Sequence, residues 1–393
     1  MDRTKWVYKK LGDICTSITD GSHNPPKGIE HSDYRMISSQ NIYDDELRIT
    51  DESVRFLTEE NHYKEDKRTK LSKDVVLLTI VGTIGRACVL KGKEGFLTLQ
   101  RSVAALHPSS EIQSRFLMYC LIGSRGKLEQ EAHGIAQRGI YLKQLSELRI
   151  PLPNLAIQQS VILELDKLNE VIGLKRKQLA DLDSLAQSLF YEMFGDPVVN
   201  EKGWTTKDLK EIGKITTGNT PSKAVAEYYN NSYIEWIKTD NIEPDSPIAT
   251  AAKEFLSEEG CKRGRVVEEG SLLVACIAGS VESIGKSCIT NRRVAFNQQI
   301  NAITPNESTN IVFLYHLVRS MKKVIQDYAT TGMKHILTKS AMEGITIPLP
   351  PLLLQQSFAT KIAKIEAEKQ RVKSSLKDLE TLLASRMQYW FDN

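Results

Sequence analysis

The sequence predicts an α/β (α+β) protein built as a tandem duplication of a globular domain followed by a long helix. Three observations lead to this fold class: an internal repeat, short β-rich runs between turns, and two proline-free stretches with coiled-coil spacing. The two long helices are expected to pair as an antiparallel coiled coil.

The repeat is clearest in its second half. Pro151-Leu152-Pro153 recurs as Pro348-Leu349-Pro350, and Gln158-Gln159 recurs as Gln355-Gln356, both at an offset of 197 residues. The offset holds without a gap from about residue 106 to the end of the chain. Upstream it drifts by a few residues, but the similarity persists. Each copy is therefore one structural unit of about 197 residues.

The first part of each copy resembles a compact mixed domain. β-Rich runs, Gly/Pro/Asn turns and a few helical patterns alternate there, which favours an α/β globular domain. The runs lie at 75–81 and 272–278, and the helical patterns at 113–130 and 309–328. We assign the globular domains to residues 1–153 and 197–350.

The second part of each copy, 154–196 and 351–393, predicts one long helix. Apolar residues alternate at steps of three and four, and about 40 helical residues span about 60 Å. The stretches 154–196 and 357–393 carry net charges of −3 and +2, which favours pairing with each other. Lys175 and Lys369 interrupt the seam, either to set the register or to extend toward water. The apolar seam residues are Leu165, Leu168, Ile172, Leu179, Leu182, Leu189, Ile362, Ile365, Val372, Leu376, Leu379 and Leu383.

Composition and motifs exclude several classes of protein. The first ten residues contain no apolar segment typical of a secretory signal. The six cysteines include no Cys-x-x-Cys, and the seven histidines include no His-Glu-x-x-His. Neither a disulfide framework nor a zinc site is predicted. We expect a reduced cytoplasmic protein with no membrane partner, and the net charge of +3 by itself points only weakly to nucleic acid.

Asn24-Pro25-Pro26 raises the possibility of an amino-methyltransferase. In such enzymes an aromatic residue follows the prolines and stacks on the flipped base, but Lys27 stands there. Gly82-Thr83-Ile84-Gly85 has too few glycines for a Gly-x-Gly-x-x-Gly cofactor turn. The matching segment 215–223 keeps glycine, asparagine and proline but loses the double proline. A turn explains both copies, and no catalytic residue is predicted.

Polar residues in predicted loops are the candidates for contacts with nucleic acid. Gln40-Asn41-Ile42 matches Asp240-Asn241-Ile242, and 64–70 is a basic-leaning segment that we expect to be a loop. Glutamine and asparagine can pair with adenine, and lysine or arginine with guanine. Apolar and turn positions agree between the copies while polar loop residues differ, as expected for two readers of different sequences. The candidates are Gln40, Asn41, Lys67, Arg68, Lys70, Gln137, Arg138, Lys143, Lys238, Asp240, Asn241, Arg292, Arg293, Lys334, His335 and Lys339.

The order of these motifs resembles the specificity (S) subunit of type I restriction-modification systems. No single motif is specific, but their order, found twice with a long helix after each copy, is highly specific. The resemblance covers nearly the whole chain. It rests on Thr19-Asp20-Gly21-Ser22-His23, Pro151-Leu152-Pro153, Gln158-Gln159, Met193-Phe194-Gly195-Asp196-Pro197, Gly203-Trp204, Pro348-Leu349-Pro350-Pro351 and Gln355-Gln356.

The resemblance implies a non-catalytic DNA-recognition subunit. Each globular unit would be a target recognition domain for one half of a bipartite, asymmetric site in double-stranded DNA, and the paired helices would fix the spacer. Two modification subunits, which carry S-adenosylmethionine, would dock on the chain. Restriction (nuclease/translocase) subunits, which use ATP and Mg, would join them. The chain itself would hold no cofactor. The short segment after the second helix favours a full-length subunit. The family's base-contacting residues lie in variable loops, so none is assigned by motif.

Three other interpretations make different predictions. A methyltransferase in its own right would bind S-adenosylmethionine as an isolated chain. A coiled-coil interaction protein would tolerate alanine at the polar loop positions without any change of target. The specificity subunit of a related fused methyltransferase-nuclease system (type IIG-like) would share this architecture and differ in its partners.

Overall fold

The chain folds into two compact units. The computed structural model describes residues 6–92, 96–132, 138–244, 246–330 and 334–391. One unit, domain 1, contains Met1–Arg176 and Ser374–Asn393, and the other, domain 2, contains Lys177–Lys373. The boundaries fall inside both long helices, so each domain combines a globular part with a part of each helix.

Domain 1 mixes short strands with short helices, as the turn-rich sequence predicts. Its strands are β1 Val7–Lys10, β2 Cys15–Asp20, β3 Tyr34–Ile37, β4 Ile42–Tyr43, β5 Glu46–Leu47, β6 Arg55–Phe56, β7 Val76–Thr79, β8 Ala87–Val89, β9 Phe96–Leu99, β10 Val103–Pro108 and β11 Arg149–Leu152. Its short helices are α1 Leu11–Ile14, α2 Glu59–Thr69, α3 Ser114–Gly123, α4 Arg125–Glu131 and α5 Leu142–Glu147. The first long helix, α6 Leu155–Phe194, follows.

Domain 2 repeats this order with small variations. Its strands are β12 Thr206–Asp208, β13 Gly213–Thr217, β14 Ile234–Ile237, β15 Phe255–Leu256, β16 Val266–Val267, β17 Leu272–Ala275, β18 Ile277–Ala278, β19 Ser287–Ile289, β20 Val294–Phe296, β21 Ile300–Pro305, β22 His335–Ile336 and β23 Thr346–Pro348. Its helices are α7 Leu209–Ile212, α8 Glu258–Arg263, α9 Ile311–Ser320, α10 Lys322–Asp327 and α11 Lys339–Glu343, followed by the long α12 Leu352–Phe391.

The sheet order confirms that the sequence repeat is a repeat of fold. Domain 1 has an antiparallel sheet in the order β2-β10-β7-β8, and domain 2 has the matching order β13-β21-β17-β19. A second sheet in each domain contains one parallel pair, β3 with β9 and β14 with β20. Strands β7 and β17 are buried throughout, as the apolar runs predict. The fold is therefore mixed α and β in both copies.

Each core is completed by the end of a long helix. In domain 1, Phe391 at the end of α12 meets Phe116 of α3 edge to face, with ring centroids 5.6 Å apart. In domain 2, Phe194 at the end of α6 meets Phe313 of α9 in the same way at 4.9 Å. These four residues are repeat partners at the offset of 197. Each globular part therefore depends on an aromatic side chain supplied by the helix of the other copy.

The two long helices run antiparallel in domain 1. Glu164 of α6 accepts hydrogen bonds from Arg386 of α12, and Arg176 lies 2.7 Å from Glu380. Residue numbers rise along α6 as they fall along α12, which confirms the predicted antiparallel pairing. No helix of the described residues has both the length and the apolar character needed to cross a membrane.

The predicted apolar seam residues differ in how deeply they are buried. Leu165, Ile172, Ile362 and Val372 are buried, and the other predicted apolar seam residues are half-buried. Half-burial is expected because a two-stranded seam covers only part of each side chain.

The structure accounts for the charged seam residue Lys369. Its side chain is only 8% exposed, and its Nζ lies 2.7 Å from Asp183 and 2.9 Å from Glu366, all within domain 2. Burial alone would lower the pKa of Lys369, but hydrogen bonds from Lys369 to these carboxylates outweigh it and raise the pKa. Lys369 is thus a buried ion with two partners. Lys175, the other seam lysine, is half-buried.

The expectation of a loop at 64–70 is wrong, because α2 extends to Thr69. The Thr58 side chain caps its start, the first turn is acidic, and Lys67 and Arg68 stand in the last turn, where they complement the helix dipole. The helix buries only His62 and Thr69. It therefore lacks the apolar periodicity on which the sequence prediction relied.

Candidate nucleic-acid interface

Several loops of domain 1 meet at one edge, where β2, β3, β7 and β9 end. Ser102 lies among them: its hydroxyl accepts a hydrogen bond from the amide of Ser39 at 3.0 Å, and its carbonyl accepts one from Ile80 at 2.9 Å. The neighbouring amide of Arg101 donates to Ser22 at 3.0 Å. We call this surface loop edge 1, and it comprises residues 20–23, 38–41, 80–85, 100–102 and 138–139.

The same edge exists in domain 2. The amide of Asn297 donates to Ile237 at 3.0 Å, and that of Cys276 donates to Gln299 at 2.8 Å. The Thr220 hydroxyl donates to Oε1 of Gln298. We call this surface loop edge 2, and it comprises residues 217–220, 238–241, 277–285, 297–299 and 334–335. The backbone scaffold of the two edges is shared, as the repeat predicts.

Glycines fix the close approach at the centre of each edge. A Cβ on Gly21 would lie 2.1 Å from the carbonyl oxygen of Leu99, and one on Gly218 would lie 2.1 Å from that of Asn297. No other residue fits at this distance, since Cβ atoms do not approach carbonyl oxygens so closely. The Asp20-Gly21-Ser22-His23 motif is therefore a structural turn. It brings the end of β2 against the turn that follows β9.

Several predicted site residues lie on these edges. Gln40 and Arg138 are exposed on loop edge 1, and the carbonyl of Arg138 accepts a hydrogen bond from the amide of Gly82 at 3.3 Å. Asp240 and Lys334 are exposed on loop edge 2. Half-buried His335 is held there by the pairing of β22 with β18. Gln137 lies outside the described residues.

The two predicted asparagines have structural roles instead. Asn41 is fully buried, and its amide oxygen accepts from the amide of Ser38 at 2.9 Å while its nitrogen donates to Arg48 at 3.0 Å. Asn241 is 6% exposed and its oxygen accepts from the amide of Lys238 in the same way, at 3.0 Å. Both amides stabilise the loop around them. Both amides are buried and occupied by these internal hydrogen bonds, so we do not retain them as base-contacting candidates.

The basic residues near α2 divide into two groups. Lys67 and Lys70 are exposed. Arg68 donates to the nearly buried carboxylate of Asp20, which lies 2.6 Å from Nε2 of His23 on its other side. Arg68 thus connects α2 to loop edge 1 and offsets the charge of Asp20 there.

Arg292 and Arg293 lie at the opposite end of β20 from loop edge 2. Arg292 is bound to the carboxylate of Glu235 and to two backbone carbonyls, and Arg293 lies 3.2 Å from Glu268. Arg292 therefore stabilises the domain interior, and the structure does not bring this pair to the edge.

Lys143 and Lys339 lie at matching places on short helices. Lys143 is exposed on α5, and Lys339 is exposed at the start of α11, 3.4 Å from Glu343. Neither forms a contact with a loop edge among the described residues.

The side chain of Lys238 is held by contacts within its own domain. Its ammonium group pairs with Glu254 and lies 4.8 Å from the ring centroid of Trp236. The hydrogen bond from Lys238 holds the pKa of the Glu254 carboxyl below its usual range. A base contact by Lys238 would have to replace this ion pair. Within the described residues, no group of three or more His, Cys, Asp or Glu side chains is arranged to hold a metal ion.

The sequence prediction missed the turns at 100–102 and 297–299. Each stands between two buried strands, yet Arg101 and Gln298 are exposed, and they match at the offset of 197. The signal was available: a short polar segment between apolar runs, differing in side chain between the copies at one position of the repeat.

Comparison with known families agrees with the repeat. The family model of the type I restriction modification DNA specificity domain matches residues 3–184 and again 201–378. The chain belongs to this family. Among curated members, the type I restriction enzyme MjaIX specificity subunit of Methanocaldococcus jannaschii is 23% identical, covering 90% of this chain and 85% of that protein. The HindI specificity subunit of Haemophilus influenzae is 30% identical over 42% of this chain and 36% of that protein.

Solved structures of S subunits share the fold. The S subunit of the type I restriction-modification system from M. genitalium is 14% identical and superposes with a TM-score of 0.57, covering 99% of this chain and 96% of that chain. The tandem specificity-domain architecture that the sequence predicts is thereby confirmed.

Proposed function

We propose that this type I specificity chain reads a bipartite, asymmetric site in double-stranded DNA, with loop edge 1 on one half and loop edge 2 on the other. One observation carries the proposal: two edges with the same backbone scaffold present different side chains. Arg101 stands where domain 2 has Gln298, and Gln40 stands where it has Asp240. Such pairs of residues favour different base edges. Two half-sites of different sequence need two recognition surfaces with different side chains.

The long helices complete the proposal. As the antiparallel connection between the repeats, they would fix the number of unspecified base pairs between the half-sites. They would also offer equivalent docking surfaces, since each repeat supplies one helix. Two modification subunits with S-adenosylmethionine would use these surfaces. Restriction subunits with ATP and Mg would join the complex. The names of the curated relatives, specificity subunits of type I restriction enzymes, support this assignment.

The first test is to co-express the chain with its modification subunit and to map N6-methyladenine across the host genome. The proposal predicts one bipartite asymmetric motif with a fixed gap. Exchanging residues 1–153 for the corresponding domain of another specificity subunit should change one half of the motif and leave the other. A short continuous motif, or no methylation from a stable complex, would contradict the proposal.

A second test addresses the helices. We take residues 173–179 of α6 and 373–379 of α12 as opposing heptads, because Arg176 in the first heptad lies 2.7 Å from Glu380, which directly follows the second. Removing both heptads shortens each helix by about 10 Å while keeping the seam in register. We expect both half-site sequences to persist and the gap between them to change. An unchanged gap would show that the helices do not set the spacing.

A further inference from the structure

We propose that domain 2 contains a phosphate-binding site formed by Lys286, Ser287, Arg319 and Lys322, and that its ligand is a phosphodiester group of the DNA backbone. These residues line a cavity of about 190 Å³ between the turn at 281–285 and the helices α9 and α10. The choice of DNA as the source of the phosphate rests on the proposed function.

The positive charge in this cavity is only partly balanced. Lys322 is half-buried, and its pKa is lowered by burial and by the neighbouring Lys286 and Arg319. Among the described residues, neither Lys286 nor Lys322 forms a salt bridge. Glu282 acts on Lys322 from a distance and partly offsets the lowering of its pKa, and the exposed Glu243 lines the cavity. Like charges that are held close together and only partly balanced by carboxylates are stabilised by an anion.

A buried hydroxyl gives independent support. Ser287 is 4% exposed and lines the cavity, yet its Oγ has no hydrogen-bond partner within the part of the chain that the structure describes. Leaving a buried polar group unsatisfied is costly, so such groups usually have a partner that binds. A phosphate oxygen accepts hydrogen bonds from hydroxyl and ammonium groups alike.

The equivalent position in domain 1 lacks the residues of this site. In the repeat alignment Ala87 replaces Ser287 and Arg125 replaces Lys322. Arg125 is neutralised by Asp44 at 2.5 Å. Asp44 aligns with Pro244, which offers only a carbonyl to Arg319, at 3.1 Å. Among the described residues, lysines without a salt bridge and a buried hydroxyl without a hydrogen-bond partner therefore occur together at this position in domain 2 and not in domain 1.

The position favours DNA over a free anion. The turn at 281–285 belongs to loop edge 2, and Gln326 of α10 donates to the carbonyl of Val281 at 2.9 Å, which fixes α10 against that turn. A duplex with its bases at loop edge 2 would place its backbone along the flank of the edge. Phosphate contacts at such a flank position the protein and carry no sequence information.

The test measures binding of the co-purified complex of this chain and its modification subunit to its methylation site as a function of salt. Losing one phosphate contact reduces the slope of log K against log[salt] by about 0.9. We expect this change for Lys322→Gln and for Lys286→Gln, and a several-fold weaker affinity for Ser287→Ala. The methylated motif should be unchanged in all three. Lys323→Gln is the matched control, since it removes the same charge from an 82% exposed neighbour paired with Asp327.

The outcomes separate the proposals. Unchanged slopes in the Lys286 and Lys322 variants, with wild-type binding intact, would overturn the DNA assignment. If inorganic phosphate then protects the wild type but not Lys322→Gln from thermal unfolding, the ligand is a free phosphate. If it protects neither, the site itself is refuted. Failure of the wild-type complex to bind any specific site would instead overturn the proposed function.

Discussion

Trp6 and Trp390 stack with ring planes 1° apart and centroids 5.7 Å apart. The two indoles come from opposite ends of the described chain, and both are buried in domain 1. Nε1 of Trp390 also donates to Glu164 of α6 at 3.2 Å. The last turns of α12 are therefore part of the core of domain 1. Residues 1–153 alone would leave this surface open to water.

Replacing Trp390 with alanine should destabilise domain 1 by about 3–5 kcal/mol, because it leaves a large cavity and removes the stack on Trp6. Hydrogen exchange followed by mass spectrometry should show faster exchange in β7 and β10 and unchanged exchange in β17 and β21. Leu382→Ala is the control, since Leu382 is 47% exposed on the same helix. Equal loss of protection in both domains would show that they unfold as one unit.

Because His316 is buried, we expect the stability of domain 2 to depend on pH. Its pKa is lowered from 6.5 to about 4, first by burial and then by Arg319 and Lys369. Between these values the unfolded chain binds a proton that the folded chain does not, so stability falls as pH falls from 6.5 toward 4. The loss amounts to at most about 3 kcal/mol.

Denaturant unfolding of the wild type and of His316→Phe between pH 7 and 4.5 isolates this contribution. Phenylalanine keeps a ring against Phe358, whose centroid lies 5.2 Å from that of His316, and does not titrate. The variant should lose less stability on acidification than the wild type. Identical pH profiles would mean that His316 is protonated in the folded state.

The buried ion pairs of Lys369 lead to a prediction about the stability of the helix seam. Lys369→Ile should lower the free energy of unfolding of domain 2 by roughly 1–3 kcal/mol, because the half-buried Glu366 carboxylate loses its partner. Asp183 contributes little to this loss, since its exposed carboxylate is solvated by water once Lys369 is gone. Domain 1 carries Asn169 and Ile172 at the equivalent positions. The double variant Glu366→Asn, Lys369→Ile should therefore recover most of the loss. Thermal unfolding checks both, and no recovery would show that Lys369 stabilises through other contacts.

The fold was predictable from sequence because the repeat and the apolar spacing are local patterns. The seam residues from Leu165 to Leu383 are buried or half-buried for this reason. The interface was less predictable because polarity does not reveal where an amide points. Asn41 and Gln40 are adjacent, yet the Asn41 amide is buried in the loop, whereas Gln40 is exposed and donates from Nε2 to the carbonyl of Ser53 at 2.7 Å. Arg292 looked like a free basic residue, but Glu235 binds it in the folded domain.

Gln298 carries the most direct prediction about base reading. The Thr220 hydroxyl holds its amide by donating to Oε1, so its orientation is fixed before DNA binds. The Gln298 side chain is exposed. Its amide can donate from Nε2 to adenine N7 while Oε1 accepts from N6 with its second lone pair, so the fixed amide suits an adenine. Gln298→Ala should therefore cost about 1–3 kcal/mol and relax one position of one half-site.

Thr220→Val tests the positioning separately, because it keeps the shape of the side chain and removes the hydroxyl. We expect weaker discrimination at the same position and no change elsewhere in the methylated motif. Arg101→Ala, at the equivalent place in domain 1, should relax the other half-site only, which is the matched comparison. Mapping N6-methyladenine for each of the three variants shows which position of the methylated motif has lost specificity. Uniform weakening across every position of the motif would show that Gln298 contacts the DNA backbone and does not read a base.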